Sequence, residues 1–286
     1  MPASLLSVRS RVSSSTGSDT LETGILRAAP SAGSVELACQ HPANRPDLIT
    51  RARARALREL LESHNVSPIV HTDSSVNTAE LYPGIRDAVR RHMDGYLDLC
   101  TQVGSRTLIV HGGLTFSDDP SAAVDASVAM LGEWASDAAS VGITLVLENM
   151  NALPAEAEIR YLGCTGAEVR HLIDTVDSPA LRACVDLGHA HLLDEGVAGF
   201  VASVAGHIGH VQITDNDGVL DHHLALGTGT LDIDAALVEL HAAGYRGALA
   251  VELDGVDDRV TSLPVLARAI AAFEDRQPAS PAHGSA

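Results

Sequence analysis

The chain has 286 residues, 45% of them hydrophobic and 3% aromatic, and its 37 acidic against 19 basic residues give a formal charge of -18. All 19 basic residues are arginine, which excludes a Schiff-base lysine enzyme and a Walker-type phosphate loop, since both need an amine. The acidity argues against a nucleic-acid partner, because phosphate binding rests on cationic contacts, but it is compatible with an acidic pocket for metal cations.

The N-terminal stretch MPASLLSVRS lacks the long apolar segment of a signal peptide. No apolar run reaches the roughly 18 residues needed to cross a bilayer. Cys39, Cys100, Cys164 and Cys184 are scattered without CxxC spacing, so they read as free thiols in a reducing compartment. A cytoplasmic protein is the expectation.

Strand-like runs are then met in order. They are LLSVRSRV near residue 5, SVELAC near 34, SPIVHTD near 67 and RTLIVHGG near 106, followed by ITLVLENM near 143, LRACVDLGH near 181, GHVQITDND near 209 and ALAVELDG near 248. They are rich in Val, Ile and Leu with little alternation, as strands buried on both faces are. Helical patterns separate most of them. ITRARARALRELLESHN carries Ala54, Leu57, Leu60 and Leu61 at helical spacing. IRDAVRRHMDGYLDLCTQVG and PSAAVDASVAMLGEWASDAASVG each end at a glycine suited to a C-terminal cap, and LDIDAALVELHAAGYRG adds another helix. Strand alternating with helix predicts a parallel sheet. Eight such units in about 250 residues predict an α/β fold, a single-domain (β/α)8 TIM barrel. A doubly wound sheet would place a Gly-rich turn after its first strand, and none is present. The barrel is expected over residues 1–276, with a disordered tail over 277–286.

The strand ends carry the chemistry. In a barrel of this kind the C-terminal strand ends open onto the functional face. Here they read His71, His111, Glu148, Asp186, His210 and Glu252, one potential metal ligand from each of the third to eighth strands. Any one of them alone would pass as a surface polar residue. Six in succession would be costly to bury together without a cation. His189, three residues after Asp186, and Asp221 and His223 in DNDGVLDHHLALG add three more on the same face. Carboxylate mixed with imidazole suits Zn, Mn, Fe or Co better than Mg or Ca. His191 reads as a helix-start residue and His222 as facing away.

These residues stand in VELA at 35, VHTDSSVN at 70, LIVHGG at 108, LENMN at 147, VDLGHAH at 185, HVQITDNDG at 210, DHHLALGTGTLD at 221 and VELDG at 251. In that order and spacing the chain resembles the xylose-isomerase-like TIM-barrel superfamily from about residue 34 to 254. That group includes the sugar phosphate isomerases and epimerases and, related to them, abasic-site nucleases of the endonuclease IV type. The resemblance to sugar epimerases implies one divalent metal held by Glu148, Asp186, His210 and Glu252. Glu148 and Glu252 would double as the acid/base pair, and His189, with His71 and His111, would contact substrate. The resemblance to the nucleases implies up to three zinc ions, drawing also on His71, His111, His189, Asp221 and His223.

Proton transfer beside a carbonyl needs a cation to stabilise the developing oxyanion and two carboxylates to move the proton. The favoured reading is therefore a metal-dependent isomerase or epimerase of a small carbohydrate or keto-sugar. A multinuclear zinc phosphoesterase is one alternative. A lyase using the same enolate chemistry, either a dehydratase or a C-glycoside-cleaving subunit with a partner chain, is another. Members of the superfamily often associate, which implies a homo-oligomer.

Several finer expectations attach to this reading. Arg51, Arg55 and Arg58 on one helix face, and Arg90 and Arg91 on another, read as solvated faces. Gly227 and Gly229 in LGTGT offer a weak phosphate site. Phe116 and Tyr161, in the loops after the fourth and fifth strands, could cover a bound sugar, but a hydrophobic contact under a loop is the preferred reading for each. Glu36 either faces the site or supports the barrel bottom. Asn149 and Asn151 are candidates to orient Glu148.

Overall fold

The computed structural model describes residues 8–154 and 156–277. The last nine positions of the expected tail lie outside the described residues. Among the described residues there are ten strands: β1 (Val12–Ser15), β2 (Ser34–Ala38), β3 (Ser67–His71), β4 (Thr107–His111), β5 (Leu114–Thr115), β6 (Thr144–Glu148), β7 (Arg160–Tyr161), β8 (Leu181–Asp186), β9 (Ile208–Ile213) and β10 (Leu249–Val251). Eight of them close into a parallel barrel in the order β1-β2-β3-β4-β6-β8-β9-β10. The remaining two, β5 and β7, pair antiparallel, joining the loops that follow β4 and β6. The architecture is a single (β/α)8 TIM barrel.

The strands form where both faces are buried. Thr107–His111 (TLIVH) and Thr144–Glu148 (TLVLE) are buried from their second residue onward, so apolar side chains serve both the interior and the helical layer. Trp134, Tyr96 and Phe200 are the bulkiest fully buried side chains and pack between barrel and helices. Inside the barrel, Ile69, Ile109, Val146 and Cys184 form a separate small apolar plug. The polar strand ends lie above it.

Helix boundaries follow local chemistry. Thr50 accepts from Arg53 N to start Arg51–His64, and Asn65 ends that helix in the left-handed region at φ 53°. Gly104 ends Pro83–Val103 the same way at φ 82°, as its place in the sequence predicts. The four cysteines are free thiols, all buried except the half-buried Cys164. Among the described residues no helix is long and apolar enough to cross a membrane.

One expected element is displaced. The first strand is not LLSVRSRV but the serine-rich VSSS at 12–15, with Ser13, Ser14 and Ser15 all buried. Val8 to Arg11 instead make a turn closed by Arg11 N–H donating to Val8 O at 2.9 Å. Residues 5–7 lie outside the described set. The short side chains of β1 fit between Ser34–Glu36 of β2 and Leu249–Val251 of β10.

Candidate metal centre

His71, His111, Glu148 and Asp186 are each the last residue of their strand, and Glu252 follows β10 directly. Their side chains meet. His71 Nε2 lies 3.0 Å from Glu148 Oε2 and 3.2 Å from His111 Nε2. His71 Nδ1 lies 3.4 Å from Glu252 Oε1 and 3.9 Å from Glu36 Oε2. His111 Nε2 is 3.4 Å from Glu148 Oε2.

A second group adjoins the first. Asp186 caps the short helix Leu187–His191, accepting from His189 N at 2.8 Å, so the helix turns the His189 ring back over the strand end. His189 Nε2 lies 3.2 Å from Asp221 Oδ2, and His223 Nε2 lies 3.3 Å from the same oxygen. His223 holds φ at 45°, a costly conformation for a histidine that a packed functional site sustains.

Among the described residues, four overlapping sets have ligand atoms close enough to share an ion. They are His71–His111–Glu148, Glu36–His71–Glu252, Glu148–Asp186–His189 and His189–Asp221–His223. His210 enters none of them. It is the third residue of β9, not its end, and its Nε2 lies 2.5 Å from Glu36 Oε1. Eight of the nine sequence-derived candidates therefore converge. Glu36, weighed between site and barrel bottom, is fully buried and faces the interior.

The donor set fits a divalent cation on three observations. First, His71 Nδ1, Asp186 Oδ2, Asp221 Oδ1 and Glu252 Oε2 are buried without a hydrogen-bond partner, although native interiors leave few such atoms. Second, three imidazoles are oriented through Nδ1. His189 Nδ1–H donates to the Asn149 carbonyl at 2.7 Å, His223 Nδ1–H to the Glu252 carbonyl at 3.3 Å, and His111 Nδ1 meets Thr72 Oγ1 at 3.2 Å. This leaves Nε2 toward the centre, the arrangement that outer partners impose on metal-binding histidines. Third, the carboxyls repel one another. Burial and the neighbouring Glu148 and Glu36 push the Glu252 carboxyl well above its usual range. Burial also raises Asp186, against the pull of His189. Glu148 is buried too, yet the His71 and His111 rings outweigh burial and hold it well below the usual range.

The finer expectations divide. Asn149 orients Asp186 rather than Glu148. Its Oδ1 accepts from Asp186 N at 2.7 Å and its Nδ2 donates to Asp186 O at 3.1 Å. The Asn151 carbonyl takes only a weak bond from the Cys164 thiol. The LGTGT turn is no anion site, because the Asp215 carboxylate already occupies it. Gly227 N, Gly229 N and Leu231 N donate to its two oxygens at 2.9, 3.0 and 3.0 Å. His191 ends its short helix instead of starting it and pairs with Thr230. His222 faces outward onto Asp217, as expected. Phe116 is 77% exposed. Tyr161 lines a 260 Å³ cavity with Leu153, Pro154 and Cys164. Arg51, Arg55 and Arg91 are exposed, Arg58 pairs with Glu62, and Arg90 pairs with Glu133 and Asp137.

Asp215 and Gln212 were not singled out in the sequence. Both stand in HVQITDND, where the period of two that places His210 inside the barrel places Gln212 inside as well.

Residues 26–274 match the family model described as xylose isomerase-like TIM barrel. The chain belongs to this family. An uncharacterized protein of Methanocaldococcus jannaschii is 29% identical over 222 residues, 73% of this chain and 72% of the relative. The 2-oxo-tetronate isomerase of Pectobacterium atrosepticum is 27% identical over 229 residues, 79% of this chain and 84% of that enzyme. Among solved structures, a D-tagatose 3-epimerase-like protein superposes with a TM-score of 0.83 at 24% identity, covering 93% of this chain and 99% of that one. That likeness establishes the shared barrel.

Proposed function

We propose that the protein is a divalent-cation-dependent isomerase or epimerase that moves a proton on the carbon beside a carbonyl of a small keto-sugar or related polyhydroxy carbonyl compound. The observation that carries this reading is the pair Glu148 and Glu252. They approach opposite nitrogens of His71, at 3.0 Å and 3.4 Å, and so stand on two sides of one polar centre. In the metal-free centre their environments differ: the His71 and His111 rings outweigh burial and lower Glu148, while burial and the neighbouring Glu148 and Glu36 raise Glu252. A two-sided proton transfer needs one carboxyl on each side of the reacting carbon. The 27% identical relative named 2-oxo-tetronate isomerase supports the same class of reaction.

Glu148 takes the proton from the carbon, the C–H pair becomes the C=C of an enediolate, and Glu252 gives a proton either to the opposite face of the same carbon, completing an epimerisation, or to the neighbouring carbon, in which case the hydroxyl proton passes to the former carbonyl oxygen and completes an isomerisation. His189 and His111 present Nε2 toward the substrate. Glu148, Asp186 and Glu252, with His189 beside them, would hold the cation. Such an ion supplies charge stabilisation for the oxygen of a carbonyl losing its α-proton.

The test is turnover of ketoses and 2-keto polyhydroxy acids in D2O with Mn2+ or Co2+, read by NMR. Deuterium at the carbon beside the carbonyl, lost by about 10²-fold or more in Glu148→Gln, is the expected result. Product without deuterium from any substrate would sink the proton-transfer reading.

A second reading rests on the His189–Asp221–His223 group, which shares His189 with Glu148 and Asp186. Adjoining groups would hold two or three zinc ions for phosphoester hydrolysis. Metal content per chain separates the two, since one ion favours the isomerase and two or three zincs favour the hydrolase.

A further inference from the structure

Glu252 stands one residue past the end of its strand. β10 is the shortest strand of the barrel, and its pairing with β1 stops at Ser14 and Val251. On the β9 side the Glu252 backbone is still tied, its N–H donating to Ile213 O at 3.3 Å. On the β1 side the ladder has ended, and a side chain takes over.

That side chain is Arg259. It lies in the first turn of the helix Val256–Arg276 and is 4% exposed. Its Nη1 donates to the carbonyls of Leu253 at 2.5 Å and Asp254 at 2.7 Å, the two residues after Glu252. Its Nη2 donates to Asp19 Oδ2 at 2.6 Å, in the loop after β1. Asp19 is itself fixed. Its other oxygen pairs with Arg27, and its carbonyl accepts from Asn44 Nδ2 at 2.8 Å. Gly17 makes room for the guanidinium, since it holds φ at 50° and a Cβ there would overlap Arg259 Nη1. A buried guanidinium needs acceptors for its donors, and those it has here hold the chain directly after Glu252. From the other side, His223 Nδ1–H donates to the Glu252 carbonyl. Ser262, one turn further along the same helix, accepts from Leu226 N at 3.0 Å and so holds the loop that carries His223.

We propose that Arg259 is a positioning residue for Glu252. Its guanidinium clamps the backbone after Glu252 to the loop after β1, and so sets where the Glu252 carboxyl stands in the cation centre. This deepens the proposed function and rests on its cation dependence. The rival role is closure of the barrel between its first and last strands, and Arg11 serves that role at the strand starts. Arg11 Nε donates to Gly247 O at 2.8 Å and its Nη1 to Glu274 Oε1 at 3.0 Å. Arg11 is therefore the control. Lysine at either position keeps the charge but loses the planar fork that reaches several acceptors at once.

The experiment is calorimetric titration of chelator-stripped full-length protein with MnCl2, in a double-mutant cycle of Arg259→Lys and Glu252→Ala. Arg259→Lys is expected to lose about tenfold in Mn2+ affinity, the low end for a lost partner of a metal-site residue. In the Glu252→Ala background the same change is expected to cost less than about twofold, because the carboxyl that it positions is gone. Arg11→Lys is expected to stay within about twofold in both backgrounds. Gly17→Ala displaces the guanidinium by overlap, is expected to behave as Arg259→Lys does, and supplies the readout should Arg259→Lys fail to fold. Unchanged affinity in both Arg259→Lys and Gly17→Ala would overturn the proposal. An equal loss with and without Glu252, or an equal loss in Arg11→Lys, would reduce Arg259 to barrel closure and overturn it as well. Each of these results leaves the cation-dependent reading in place. A wild type that binds no Mn2+ would sink both.

Discussion

Asp215 shows how one buried side chain shapes the loop that carries Asp221 and His223. Its two oxygens accept from Gly227 N, Gly229 N, Leu231 N and Asn216 N. The approach is so close that a Cβ on Gly229 would stand 2.2 Å from Asn216 O, so the glycine is needed for space. Hydrogen bonds to a charged acceptor contribute about 1.5–3 kcal/mol each, and a buried donor left unpaired costs about 1–3 kcal/mol. Asp215→Ala is therefore expected to lose at least about 3 kcal/mol in urea unfolding and to weaken cation binding through the loosened loop. Asp215→Asn separates charge from shape. Its amide turns N–H groups toward backbone donors, so it should recover little of the loss. Wild-type stability in Asp215→Ala would show that the loop is held by something else.

The legibility of single residues follows from the same physics. Glu148, Asp186 and the histidines were readable because a polar side chain at the end of an apolar strand contradicts its surroundings. Asn149 was read with the wrong partner, because sequence distance to Glu148 does not reveal that its amide reaches across to Asp186. Asp215 is visible in HVQITDND but its role is not, since the backbone groups it binds in the LGTGT turn lie 12 to 16 positions downstream. His210 is legible as a polar residue within an apolar strand, but its bond to Glu36 Oε1 is not, since the two residues stand 174 positions apart.

At the scale of elements, seven of the eight barrel strands were legible as short Val-, Ile- and Leu-rich runs, and β1 was not. Serine has little apolar surface to bury, and LLSVRSRV nearby offers more. Yet Ser13 Oγ and Ser34 Oγ, on residues paired across β1 and β2, are buried without hydrogen-bond partners. The strand forms because its neighbours supply the ladder and only small side chains fit there. A hydroxyl buried without a partner carries its desolvation cost uncompensated, about 1–3 kcal/mol by mutational measures. Ser13→Ala is thus expected to be neutral or to stabilise by about 1 kcal/mol in urea unfolding. Ser13→Leu should overpack the barrel and destabilise by about 1–3 kcal/mol. A clear loss in Ser13→Ala would mean that the hydroxyl has a partner, such as ordered water, that accounts for the serine.

For the whole molecule, the polar centre links folding, charge and cation binding. Five carboxylates, Glu36, Glu148, Asp186, Asp221 and Glu252, gather at one end of a chain whose formal charge is already -18. A cation that binds only the folded state stabilises it, by about 2.7 kcal/mol at a hundredfold excess over its dissociation constant. Chelation at neutral pH should therefore lower the melting temperature by about 5 °C or more. The metal-free protein should also respond to pH with a definite sign. Burial alone would lower the His189 imidazole, but Asp186 and the bond to Asp221 outweigh it and raise it from 6.5 to about 10. The folded state then holds a proton that the unfolded chain releases. That contribution is complete below about pH 6.5 and is lost as pH rises through about 10. His71 and His223 are raised too, so they act in the same direction. The stripped protein is accordingly expected to lose melting temperature from pH 7 to pH 10. In the loaded protein, a cation held beside His189 would disfavour its proton, so the same pH change should lower the melting temperature less. The gap between the two forms should widen with pH, and calorimetry in buffers of different ionisation enthalpy should register proton release on binding. A gap that narrows with pH would mean that the cation binds away from the His189–Asp221–His223 side of the centre.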